Sequence, residues 1–464
     1  MKWTYLGHSC YFIETSDLTI LIDPLLTSLF QAGTAQICPE RSINFEEIPK
    51  IDVIIITHQH PGHFEPESLS MLNRDAMVIY PPLPSIGLCL NILGFSNTQI
   101  AETGDNIEIS SLIILFTGEK EYANFEFGFT IIEDEKNVVS FTGDSHLDIR
   151  EVRRIKTFCQ KVPVLIGGYP DVQHRFLTYW DFDFPITDIE KRLTSIKMLA
   201  PLIFIPNCSG MKYIEKYDWA NYYSFPMHPK DFIENIKSYL HDIEMVSLLP
   251  GDVISVINGI ANLEIQVSPI AKSIGYFDRP RVDPIKNLPL LIDDDSKCIG
   301  ANNLDKFVFS WLINKLLPWL EIQKKSIDSS IFRLCKQQVK YRIGIILPSK
   351  KSKEYIINFS QSSITLEKHS QKSLPYASLH IRVCASALLA CEAGEIPYFV
   401  LYFNSRVYST LHRIFESSDG EFRVQRYDVR DPIFSYFNNN PETHFNRWLT
   451  RESNRLIQEL NNEN

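Results

Sequence analysis

Three histidines stand within six residues, directly after an apolar run. The run IDVIII ends at residue 56, and the segment THQHPGHF that follows carries His58, His60 and His63. Imidazoles at 58 and 60 share one side of an extended chain, and the turn that Pro61 and Gly62 permit returns the third imidazole toward them. Imidazole is the commonest side-chain ligand of metals in proteins. The spacing therefore predicts a metal site at the end of a buried strand; the alternative is a polar loop whose histidines are clustered by coincidence.

Predicted strands and predicted helices alternate along the first 265 residues, and they must hold the histidine segment in place. Short apolar runs bounded by turn signals predict strands, as in CYFIE, LTILID, DVIIIT, LIILF, NVVSFTG and PLIFIP. Amphipathic stretches between them predict helices, among them DIREVRRIKTFCQ and PKDFIENIKSYLHDIE. This order favours sheets covered by helices over a helical bundle or a pure sandwich of sheets.

Composition narrows the class of protein. The chain has 464 residues and a net charge of −10, which argues against broad binding to nucleic acid or anionic membranes because both need concentrated Lys and Arg. The nine cysteines form no CxxC pair, a pattern typical of reduced thiols. No apolar run reaches the ~20 residues of a membrane span, and no signal peptide is recognisable at the start. We therefore expect a cytoplasmic protein.

The composition of the sequence changes near residue 268. Residues 268–302 are charged and proline-rich, which predicts a linker between a metal-binding domain, 1–267, and an α+β domain, 303–464. The second domain opens with a long helix and ends with a polar one, and apolar runs between them, including YFVLYFN, predict strands. It carries no second metal motif or phosphate loop. Its role is left open among shaping a substrate entrance, binding a partner and dimerisation.

Three ordered segments make the first part of the chain resemble the metallo-β-lactamase superfamily. They are WTYLGHSCYFIET with LTILIDPLL, then IDVIIITHQHPGHFEPESL, then NVVSFTGDSH. The resemblance covers residues 1–265. It implies an αββα sandwich, so the expected fold class is α/β, with a second, smaller α+β C-terminal domain.

The resemblance also implies metal ligands. The family motif H-x-H-x-D-H matches at His58, His60 and His63, but Gly62 stands where the family has an acid that helps to hold the second metal. Asp144 in FTGDSH matches the bridging carboxylate; the alternative is an aspartate that merely caps a turn. His63 and Asp144 are therefore expected to be catalytic as well as ligating.

Further ligand positions depart from the hydrolytic members of the superfamily. Residues 64–145 contain no histidine, and Glu119 is expected to replace it, with Glu121 as its rival. Asn207 and Cys208 stand where the last histidine would follow a late strand.

Three other histidines of this part of the chain are considered beside these ligands. His228 is predicted as a late ligand, while His174 and Cys208 are other candidates for that place. The family counterpart of His8 often lines the site without binding metal.

Three hypotheses about function follow from these candidate metal ligands. Mixed imidazole and carboxylate ligands suit iron that activates oxygen. The segments FTGEKEYANFEFGF and VVSFTGDSH resemble the chloramphenicol-pathway β-hydroxylases, and HQHPGHFEPESL resembles CMP-N-acetylneuraminate hydroxylase, without its Rieske domain. The first hypothesis is a non-haem iron, O₂-dependent oxygenase with one or two Fe ions. The second is a zinc hydrolase of esters, lactones or phosphodiesters, and the third a non-catalytic binding scaffold.

The expected partners follow from the first hypothesis. They are a small-molecule or carrier-bound substrate and an external electron donor, with no nucleic acid and no membrane span. The oligomeric state is left open. Aromatic runs at 176–184 and 217–225 are candidates for a substrate pocket, although core packing accounts for them equally well.

Overall fold

The computed structural model describes residues 1–118, 126–167, 173–174, 186–207, 210–225, 229–278, 280, 290–348, 352–369, 379–404, 414–416, 419–424, 431–438 and 444–463. The chain divides into two compact units. The first comprises Met1–Gln173, Phe184–Asp283 and Glu452–Asn464, and the second comprises His174–Asp183 and Pro284–Arg451.

The first unit contains an eight-stranded sheet. In spatial order its strands are Ile260–Glu264, Val253–Ile257, Lys2–Gly7, Cys10–Glu14, Thr19–Ile22, Val53–Ile55, Met77–Tyr80 and Thr98–Ile100. The first five strands of this order pair antiparallel, and the last four, which share Thr19–Ile22 with them, pair parallel. The register Ile22 to Ile55 aligns the ends of two neighbouring parallel strands, so the residues that follow them start at the same edge.

A second sheet of the same unit has seven strands. In order they are Asn106–Ile109, Leu112–Thr117, Gly128–Ile132, Val138–Phe141, Val164–Ile166, Ile203–Ile205 and Glu244–Met245. The first four pair antiparallel and the last four, beginning at Val138–Phe141, pair parallel.

The two sheets enclose one apolar core. Ile20 and Ile22 of the first sheet belong to the same buried cluster as Phe129 and Phe141 of the second. The rings of Trp3 and Phe141 lie 6.4 Å apart, centroid to centroid. Successive strand residues point to opposite faces, and Leu21 between the two isoleucines is also fully buried. Both faces of the first sheet are therefore covered, as near-continuous apolar runs in parallel strands require.

Helices cover the outer face of the second sheet. Val152 and Ile155 of Ile149–Phe158 join Phe204 of the sheet and Phe232 of Pro229–Ile236 in a separate buried cluster. The remaining helices of the unit are Pro66–Ser70, Pro84–Leu93 and Ile186–Leu199, with 3₁₀ helices at Phe45–Glu47 and Glu215–Tyr223. Two sheets packed on one core, with helices outside, agree with the αββα sandwich that the resemblance implied.

Short strands complete this unit. Leu29–Phe30, Ala35–Ile37 and Met211–Tyr213 form one small sheet, Arg41–Ile43 pairs with Ala271–Ser273, and Ser224–Phe225 is a further short strand. The short strand Gln173–His174 stands where the chain passes from this unit to the second. The segment 268–302, expected to be a linker, thus includes a strand that hydrogen-bonds to residues near the start of the chain. The functional division at 267 and 303 stays a prediction.

The second unit is built on a four-stranded sheet. Its order is Ile364–His369, Ser352–Phe359, Lys340–Ile346 and Leu379–Cys384, and only the last pair is parallel. A hairpin joins Ile414–Glu416 to Phe422–Val424. The helices are Ala301–Trp311, continued by a π-helical turn Leu312–Leu316 and by Leu317–Gln323, then Ser330–Gln337, Ala385–Glu392, Tyr398–Asn404 and Pro432–Asn438. The last helix, Phe445–Glu463, begins in this unit, and its residues from Glu452 onward belong to the first unit.

The segment YFVLYFN is a helix, so the predicted strand was wrong there. Its aromatic and β-branched residues favour strands when they fill a half-buried sheet surface. Here Val400, Leu401 and Tyr402 are buried in the helix that follows Pro397, and burial of these large side chains outweighs their intrinsic preference.

A buried carboxylate joins several elements of the second unit. Glu392 accepts hydrogen bonds from Trp311 Nε1 at 2.9 Å and from Lys315, and it lies 3.0 Å from His444 Nε2. Burial by itself would raise the pKa of Glu392, but its partners, His444 foremost, lower the pKa to about 2. The group is an ionised structural anchor.

No helix among the described residues is long and apolar enough to cross a membrane.

Candidate metal centre

The candidate ligands follow the ends of buried strands. His58 lies three residues beyond Val53–Ile55, and Asp144 lies three residues beyond Val138–Phe141 in the other sheet. Asp23 follows Thr19–Ile22 directly, and its N–H donates to the carbonyl of Ile55 at 2.8 Å. Rigid strands therefore hold the starting point of each loop.

The histidine segment and Asp144 converge. One ligand atom each from His58, His60 and Asp144 lie within 4.8 Å of one another. His58 Nε2 is 3.5 Å from Asp144 Oδ2, and His63 Nε2 is 3.6 Å from Asp144 Oδ1. The two imidazoles thus face different oxygens of one carboxylate, the arrangement that a bridging ligand requires.

These separations fit a transition ion. Two donors at the usual ~2.1 Å from a tetrahedral ion are about 3.4 Å apart. His58 Nε2 is buried and makes no hydrogen bond of good geometry to the described residues, which suits a nitrogen that is a metal ligand. The neighbouring histidines, His63 foremost, hold the pKa of Asp144 well below its ordinary value although burial by itself would raise it. The Asp144 carboxylate is therefore ionised, which suits a cation.

A hydrogen-bond network behind the histidines fixes how they point. Asp23 is fully buried; its carboxylate accepts from Thr57 N at 2.8 Å and from Thr57 Oγ1 at 2.9 Å. His63 Nδ1 lies 2.6 Å from Asp23 Oδ2, and His58 Nδ1 lies 3.1 Å from Thr57 Oγ1. Because a carboxylate only accepts, His63 carries its proton on Nδ1 and presents the lone pair of Nε2 toward Asp144.

The substitution Asp23→Asn is expected to weaken metal binding by roughly 10- to 100-fold without unfolding the protein. The amide oxygen can still accept from Thr57, but the amide NH₂ would face His63 Nδ1 and drive the proton to Nε2, which blocks the ligand position. Calorimetric titration of metal-free protein measures the affinity, with the exposed Asp75→Asn as the matched control. An unchanged affinity would show that Asp23 does not orient His63.

Gly62 lies against another histidine. A Cβ built at Gly62 would come 2.1 Å from His8 Nε2, far inside any allowed contact. His8 is buried, its backbone is in the left-handed region with φ 54°, and its ring centroid is 5.4 Å from that of His63. Burial, with the nearby His63 imidazole, lowers the pKa of His8 to about 3, so the ring is neutral near pH 7.

Several predicted site residues lie outside the described residues. They are Glu119, Glu121, Cys208 and His228. His174 belongs to the short strand Gln173–His174, and its side chain is likewise not described. Asn207 is buried; its Oδ1 accepts from Tyr11 Oη at 3.0 Å, and its Nδ2 donates to Ser9 Oγ at 3.5 Å. These ligand assignments stay predictions.

Sequence reasoning missed two positioning residues and one neighbour. Asp23 and Thr57 orient the histidines, and an acid directly after a buried strand with a threonine beside the histidine motif was the available signal. Glu126 pairs with His58 in an isolated antiparallel bridge. The backbone of this acidic residue therefore runs beside the candidate ligand, which no local pattern indicates.

Comparison with known proteins gives the following. Residues 2–164 match the family model described as Beta-lactamase superfamily domain. A UPF0173 metal-dependent hydrolase of Ignicoccus hospitalis is 27% identical over 217 residues, covering 44% of this chain and 81% of that protein. The 4-amino-L-phenylalanyl-(CmlP-peptidyl-carrier-protein) 3-hydroxylase of Streptomyces venezuelae is 30% identical over 132 residues, covering 26% of this chain and 23% of that protein.

One solved structure and the extent of the matches complete the comparison. The diiron β-hydroxylase CmlA from Streptomyces venezuelae matches with a TM-score of 0.35 and 20% identity over 45% of each chain. Further curated relatives are matched over 61% and 21% of their own length. This chain thus shares one domain with several of its relatives rather than their full length.

Proposed function

We propose that this protein, whose residues 2–164 match the family model of the Beta-lactamase superfamily domain, is a non-haem iron, O₂-dependent oxygenase that hydroxylates a small or carrier-linked substrate. The observation that carries the proposal is the donor set of two imidazoles and one carboxylate, His58, His60 and Asp144, within 4.8 Å of one another. Two histidines and one carboxylate, with positions left open, are the ligand set of non-haem Fe(II) oxygenases.

The side chains of this chain have separate tasks in the proposal. His58, His60 and Asp144 hold one iron, with Glu119 as the predicted further carboxylate, and His63 with Asp144 holds the second. Asp23 and Thr57 keep the imidazole nitrogens aimed at Asp144. Iron bound there supplies the activation of O₂, which protein side chains cannot perform.

Two features support the substrate and partner assignments. The Streptomyces hydroxylase that shares 30% identity over 132 residues is named for a substrate on a peptidyl carrier protein, and a carrier-linked amino acid is therefore the first substrate class to test. Hydroxylation by O₂ consumes two additional electrons. No C-x-H spacing typical of a Rieske cluster occurs in the sequence, so a separate reductase or ferredoxin is proposed as the donor.

Metal identity tests the proposal most directly. Protein purified anaerobically without added metal is expected to contain iron, with a Mössbauer signature of non-haem Fe(II), and to consume O₂ in the presence of a reductant. The variant His58→Ala is expected to lose the iron, whereas His241→Ala, at an exposed histidine, retains it. Stoichiometric zinc with no iron-dependent activity overturns the assignment.

A zinc hydrolase is the second candidate. The observation that favours it is the 27% identity, over 81% of its length, to the archaeal metal-dependent hydrolase. Anaerobic assays with generic ester, lactone and phosphodiester substrates separate the two functions, because hydrolysis needs no O₂. Turnover that is sustained by zinc, lost in His58→Ala and indifferent to O₂ would favour the hydrolase.

A further inference from the structure

The clearest departure from the family motif is the glycine at position 62, and the structure shows what occupies the space of the missing acid. The point where a Cβ of residue 62 would stand is 2.1 Å from His8 Nε2 and 2.7 Å from His8 Cδ2. The imidazole edge of His8 therefore fills the volume of a side chain at 62. An acid at 62 and the observed position of His8 exclude each other.

The position of His8 is set by its surroundings. Gly7 has φ 115° and His8 has φ 54°, two consecutive left-handed residues that turn the chain sharply after the strand Lys2–Gly7. The Arg41 guanidinium donates to the carbonyl of Leu6 just before this turn. On the other side, a Cβ at Gly210 would lie 2.8 Å from His8 N. The loop is thus closely packed on both sides, and the imidazole is held in place.

We propose that His8 replaces the missing acid as a ligand of a second divalent transition ion, together with His63 and Asp144. The inference rests on the proposed metal centre and extends it to a second ion. His63 Nε2 lies 3.6 Å from Asp144 Oδ1, on the carboxylate oxygen that His58 does not face, and the His8 ring lies 5.4 Å from the His63 ring. His8 and His63 are thus neighbours, and His63 in turn faces Asp144.

When His8 takes the place of an acid at position 62, a neutral nitrogen ligand replaces an anionic oxygen ligand. A site of His63, Asp144 and His8 has one negative charge fewer than one that includes an acid at 62. The second ion is therefore expected to bind more weakly than the first.

Cobalt titration of metal-free protein under anaerobic conditions tests the inference. Calorimetry gives the affinities, and elemental analysis after gel filtration gives the number of bound ions. Wild-type protein is expected to bind two Co²⁺, one of them more weakly. His8→Asn is expected to weaken the second site by at least about 10-fold and to leave the first unchanged; asparagine is chosen because it tolerates the left-handed backbone.

Steric complementation sharpens the test. Gly62→Asp alone places a Cβ into His8 and is expected to disturb the site, whereas the double variant His8→Asn/Gly62→Asp frees that space and restores a second ion through the new carboxylate. His241→Asn is the matched control at an exposed histidine. If His8→Asn fails to fold, Gly62→Ala displaces the same imidazole without removing it and is expected to lose the weaker ion.

The possible outcomes distinguish a failure of the His8 assignment from a failure of the proposed metal centre itself. Two ions in wild type, one in His8→Asn and two in the double variant support His8 as a ligand. Two ions of unchanged affinity in His8→Asn, or a single ion in wild type, overturn the role of His8 while the first metal site stands. No bound ion in folded wild-type protein overturns the metal centre itself.

Discussion

Asp144→Ala is expected to abolish metal binding and every metal-dependent activity of the protein. The Asp144 carboxylate faces both His58 and His63, at 3.5 and 3.6 Å. Its removal takes a ligand from both ions and leaves the imidazoles to hold a dication without a counter-charge. Loss of an outer hydrogen-bond partner typically costs 10- to 100-fold in metal affinity, so loss of this shared ligand should exceed about 100-fold.

Controls separate charge from folding in this experiment. Asp144→Asn keeps the shape of the side chain without its charge and is expected to fall close to the alanine variant. Asp75→Ala removes an exposed carboxylate, paired only with Lys50, and should leave metal content unchanged. Metal content by elemental analysis and thermal unfolding are measured for all three variants. Full metal content in folded Asp144→Ala would contradict the bridging role.

Arg41→Leu is expected to lower the free energy of unfolding by roughly 2 to 5 kcal/mol, since each buried hydrogen-bonding group left unpaired costs ~1–3 kcal/mol. The guanidinium is 3% exposed and donates to the carbonyls of Leu6, Leu25 and Thr27. Leu6 precedes the His8 turn and Leu25 follows Asp23. The variant should therefore also weaken metal binding, because the two loops lose their common anchor.

Denaturant unfolding and metal titration of the same samples measure both effects. Arg41→Lys keeps the charge but cannot reproduce the planar fork of donors, and it should lie between wild type and the leucine variant. Arg153→Leu changes an exposed arginine and should alter neither property. Wild-type stability in Arg41→Leu would show that these carbonyls find other partners.

Much of the first unit was predictable from local patterns. The segments LTILID and DVIIIT were correctly predicted to contain buried strands, because parallel strands covered on both faces need continuous apolar runs. The resemblance to the family motifs predicted that His58, His60 and Asp144 converge, and the structure brings these ligand atoms within 4.8 Å of one another. Local periodicity failed at YFVLYFN, where tertiary burial decided between helix and strand.

The sequence by itself determined the fold of the first unit and the chemical identity of its candidate ligands, since strand periodicity and the three-histidine spacing are local properties of the chain. Only the tertiary structure decided that His8 fills the space beside Gly62, that Asp23 orients His63 across 40 positions, and that Arg41 joins the loops around them. These relations depend on side chains that are distant along the chain and meet only when the sheets have packed. No pattern within a single segment specifies them.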